Sequence, residues 1–92
     1  MNRKERRAAR KEGRLDPAGF LKLADEYITL ANRHNRSVPA ANVHAALVYA
    51  AARYGAHVAK NVVQVEDQEK TVEAATKDYA DWLRQHLADP SV

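Results

Sequence analysis

Cysteine is absent from the chain. No disulfide, thiolate metal centre or cysteine nucleophile can form, and the composition fits a reducing compartment. Serine is scarce, with only Ser37 and Ser91, which leaves a poor choice of other nucleophiles. The three glycines, Gly13, Gly19 and Gly55, are scattered, so no Gly-rich loop is available to cradle a phosphate. Few Gly and Pro in an Ala-rich composition favour helices over a strand-and-turn fold. Long apolar runs are missing too. The best candidate, "AALVYAAARYGAHVA" (45–59), is interrupted by Arg53 and His57 and falls short of the ~20 apolar residues that cross a bilayer. No apolar segment follows the basic start of the chain, so that start does not read as a secretory signal. A cytoplasmic location is expected.

Charge is present but unevenly placed. Residues 1–14, "MNRKERRAARKEGR", hold seven basic residues against two acidic, a formal +5, whereas residues 15–92 hold eight against ten, a formal −2. The basic balance belongs to an N-terminal arm and not to the body. The division predicts a flexible arm over 1–14, disordered or partly helical, and one domain over 15–92.

Three helices are predicted in that domain. Asp16-Pro17 reads as N-cap and first helical residue, opening a helix to about His34. At about 100° per residue, Phe20, Leu21, Leu23, Ala24, Tyr27, Ile28, Leu30 and Ala31 share one half of the cylinder. Lys22, Asp25, Glu26, Thr29, Asn32 and Arg33 share the other, the division of a helix with one buried face. "NRSV" (35–38) connects to a second helix, with Ser37 as N-cap and Pro39 in its first turn, running to about Asn61 and breaking around 62–66. A third runs from about Asp67 to Leu87. It sets Val72, Ala75, Tyr79, Trp82, Leu83 and Leu87 against Lys70, Glu73, Lys77, Asp78, Asp81 and Arg84. Pro90 ends it. The fold expected is all-α, a three-helix up-down-up bundle.

The second helix carries only a narrow polar strip, Asn42, Tyr49, Arg53, His57 and Lys60. Its apolar arc spans roughly 200°. One side of that arc has the large residues Val43, Leu47, Tyr54 and Val58, and the other has Ala51, Gly55 and Ala59 at spacing four. Small residues so spaced let another helix approach closely. Helices 1 and 3 offer one face each, so helix 2 is expected between them, and any uncovered arc calls for a partner. A homodimer is expected, given a thin core and the prevalence of two-fold oligomers. Ala51, Gly55, Ala59 and Arg53 form the candidate interaction surface.

"FLKLADEYITLAN" (20–32), followed by "VPAANVHAALVYAAARYGAHVA" (38–59), resembles a family of small, uncharacterised bacterial helical proteins. Its members share an F-x-x-x-A-D-x-[FY]-I-x-L-A-N segment and then a Y-A-A-A-R-[FY] helix. The resemblance covers residues 18–60 well and the third helix loosely. It implies a bacterial, cytoplasmic, all-helical domain of unknown function, and it carries no catalytic or binding residue with it.

The arm supplies the candidate nucleic-acid residues Arg3, Lys4, Arg6, Arg7, Arg10 and Lys11. Clustered Arg and Lys neutralise phosphates and release counterions, which gives salt-dependent, largely sequence-independent binding to RNA, DNA or a ribosomal surface. With no aromatic in the arm, base stacking is absent. The same composition suits a solvated tail, and it lacks the bulky apolar anchors of a membrane-surface segment beyond Met1. His34, His44 and His86 fall at one end of an up-down-up bundle, where three imidazoles suit Zn²⁺. The first and last equally suit helix C-termini, where the dipole favours a cation, and no metal or cofactor is assigned. Asp25 and Glu26 diverge on a helix, and Asp78 and Asp81 lie on its solvated face. With no pocket implied, the chain reads as non-enzymatic.

If the arm is a phosphate anchor with six contacts, affinity for mixed RNA or duplex DNA falls about a thousandfold between roughly 50 and 200 mM salt. Removing residues 1–14 then abolishes binding. Titrations of both forms at the two salt concentrations check this, and absence of binding at low salt makes the arm a solvated tail.

Overall fold

The computed structural model describes residues 15–92. They form three α-helices in chain order, α1 (Pro17–His34), α2 (Ala40–His57) and α3 (Gln68–Leu87), with a π-helical turn at Val58–Val62 between the last two. No strand occurs among the described residues, so the all-α class is found. By its internal contacts the chain divides into two units, with the boundary between Tyr49 and Ala50, inside α2.

The first unit contains α1 and the start of α2. Asp16 is extended (φ −69°, ψ 163°), and its Oδ1 accepts the Gly19 N–H at 2.7 Å. This satisfies one of the four amides left unpaired at a helix start, with Pro17 in the first turn where its missing N–H costs nothing. Gly19 permits the close approach, since a Cβ there would stand 2.7 Å from the same Asp16 oxygen. At the other end the His34 carbonyl accepts from both Ser37 N–H and Val38 N–H, at 3.1 and 3.0 Å, which turns the chain. α2 therefore starts one residue later than the sequence suggests. Pro39 takes the cap position expected of Ser37, its carbonyl accepting from Asn42 and Val43 at 3.0 and 3.1 Å.

The second unit contains the rest of α2, the π-turn and α3. The sequence predicts an α-helix as far as Asn61, but α-helix stops at His57. Beyond it the turns widen. Val63 N–H donates to the Val58 carbonyl and Val65 N–H to the Ala59 carbonyl, each at 2.9 Å. Gln64 lies in the left-handed region at φ 59° and turns the chain at a place usually given to glycine. The β-branched Val58, Val62, Val63 and Val65 are weak helix formers. Wider hydrogen-bonded turns let this stretch leave the helix while its amides stay paired.

α3 starts as expected. Asp67 is its N-cap, and its Oδ1 accepts the Lys70 N–H at 3.1 Å. On the polar face Asp81 takes Lys77 at 2.6 Å and Arg84 at 3.4 Å. Such exposed i,i+4 and i,i+3 pairs contribute about 0.3–0.5 kcal/mol each. After the helix, Asp89 Oδ1 accepts the Ser91 N–H at 2.9 Å and its hydroxyl at 2.8 Å. These bonds, the backbone one foremost, hold the Asp89 carboxyl below its usual value.

A left-handed non-glycine residue is strained by roughly 1–2 kcal/mol. Gln64→Gly is expected to raise stability by about 1 kcal/mol after the extra freedom of the unfolded glycine is counted, moving Tm up by several degrees. Asp67→Ala is expected to cost about 1 kcal/mol through loss of the cap. Thermal melts of the two variants beside the parent check both signs.

Candidate functional site

The candidate surfaces are helix faces, and their common property is exposure. No described residue is buried. Of the residues that the helical wheel assigns to the inner face of α1, Ala24 and Ala31 are half-buried, whereas Phe20 is 53% exposed, Tyr27 54% and Ile28 54%. On α3, Val72, Tyr79, Trp82 and Leu83 retain between 44 and 53% of their surface, and Leu87 77%. Along α2 and the turn after it, Val43 and Val58 are half-buried, whereas Leu47 and Val48 remain about two-fifths exposed and Tyr54 69%. Scattered surface apolar residues are ordinary, but rows of them on one face of a helix mark a surface meant to be covered.

The small-residue face of α2 is partly as expected. Ala51 and Gly55 fall within regular α-helix, where four residues make about one turn. Ala59 falls in the π-turn, where the turn is wider, so it leaves the spacing-four register. A Cβ placed on Gly55 would meet nothing within 4 Å. Arg53 is exposed, as are Tyr49, His57 and Lys60 of the polar strip. The strip holds two contacts that its spacing does not reveal. The Asn61 amide donates to His57 Nδ1 at 3.3 Å, a bond that needs Nδ1 unprotonated. The Tyr54 and His57 rings lie 6.0 Å apart, tilted by 40°. Asn61 reaches back to His57 across four residues as the helix enters the π-turn, and the only sequence signal for that is the run of β-branched residues after it.

Among the described residues no group of three or more His, Cys, Asp or Glu side chains is placed to hold a metal ion, and His34, His44 and His86 are each exposed. Asp25, Glu26, Asp78 and Asp81 are all exposed. No helix among the described residues is long and apolar enough to cross a membrane. The arm candidates Arg3, Lys4, Arg6, Arg7, Arg10 and Lys11 lie outside the described residues.

The geometry is therefore that of capped helices carrying apolar faces open to solvent, with a polar strip on α2 and mixed charge on α3. No curated protein and no solved structure is significantly similar to the chain. One family does match, over residues 20–90, from the first aromatic of α1 to the proline after α3, and the protein belongs to it: the family described as Protein of unknown function (DUF3144).

Proposed function

We propose that the protein is a small, non-enzymatic interaction module whose helical body works by having its apolar helix faces covered by a partner. One observation carries this reading: the described chain buries no residue fully and leaves between 40 and 77% of each large apolar side chain on α1 and α3 exposed. Helices in proteins take most of their stability from packing an apolar face, and α1 and α3, of 18 and 20 residues, leave theirs largely open. A chain built this way holds its helices firmly only in company.

The non-enzymatic part of the reading rests on chemistry. Cysteine is absent and serine scarce, and the carboxylates of α1 and α3 are exposed. General acid–base work needs enclosed surroundings to tune a proton donor. A second reading is favoured by the arm's formal +5: contact with phosphates of RNA, DNA or a ribosomal surface through Arg3, Lys4, Arg6, Arg7, Arg10 and Lys11. The two readings are compatible, since one concerns the body and the other the arm.

Circular dichroism of the full chain, diluted until it sediments as a monomer, tests the module reading. The expected result is weak helicity and a broad, poorly cooperative melt, because a lone chain lacks a core. A dilute monomer that stays strongly helical and melts sharply would need no partner and would overturn the proposal.

A further inference from the structure

We draw no further inference here: the strongest candidate, the open apolar face of α3 with Val72, Tyr79, Trp82 and Leu83, carries nothing, because nothing in the structure shows what covers it.

Discussion

The need to take apolar helix faces out of water governs this protein. Backbone pairing is settled locally. Asp16 and Asp67 satisfy amides at the starts of α1 and α3, and His34 and Val58 carbonyls accept the amides that follow α1 and α2. Local pairing does not hold a helix in water, because each intramolecular hydrogen bond replaces one made to solvent. The larger favourable term is burial, and within the described chain that term is incomplete, since no residue is fully buried. The interaction-module role follows from this imbalance between well-specified helices and uncovered faces.

What is legible in the sequence is what acts over four residues. Asp16-Pro17 marks the first residue of α1, Asp67 the start of α3, and the apolar periodicity separates the faces of each. The carboxylates at the two caps are acceptors placed next to amides that need them, so the signal and its cause sit side by side in the chain. The end of α2 is less legible. A run of β-branched residues announces a break, but it does not say that the helix will widen into a π-turn, nor that Gln64 will take a left-handed conformation without a glycine. That outcome depends on which carbonyls are still unpaired when the chain turns, a sum over several residues that pattern reading does not perform.

The candidate surface is half legible. A helical wheel identifies Tyr27, Leu47, Tyr79 and Trp82 as residues to be covered, because it reads hydrophobicity and period. It does not say what covers them. The exposure that Tyr54 and Leu47 keep depends on packing, which a wheel does not read. The small-residue register of Ala51, Gly55 and Ala59 requires a continuing α-helix, and the π-turn removes its last member. Membership of the DUF3144 family adds no assigned chemistry to this surface, so its physical character is the lead to its role.

Amide hydrogen exchange of the chain at high dilution tests the central claim most directly, because it reads α1 and α3 residue by residue. If the apolar faces need a partner to cover them, amides across Phe20–Leu30 and Val72–Leu87 exchange with little protection in the dilute chain, since helices with uncovered faces open easily. If protection in both helices is strong at high dilution, the single chain supplies its own cover, and the need for a partner is contradicted.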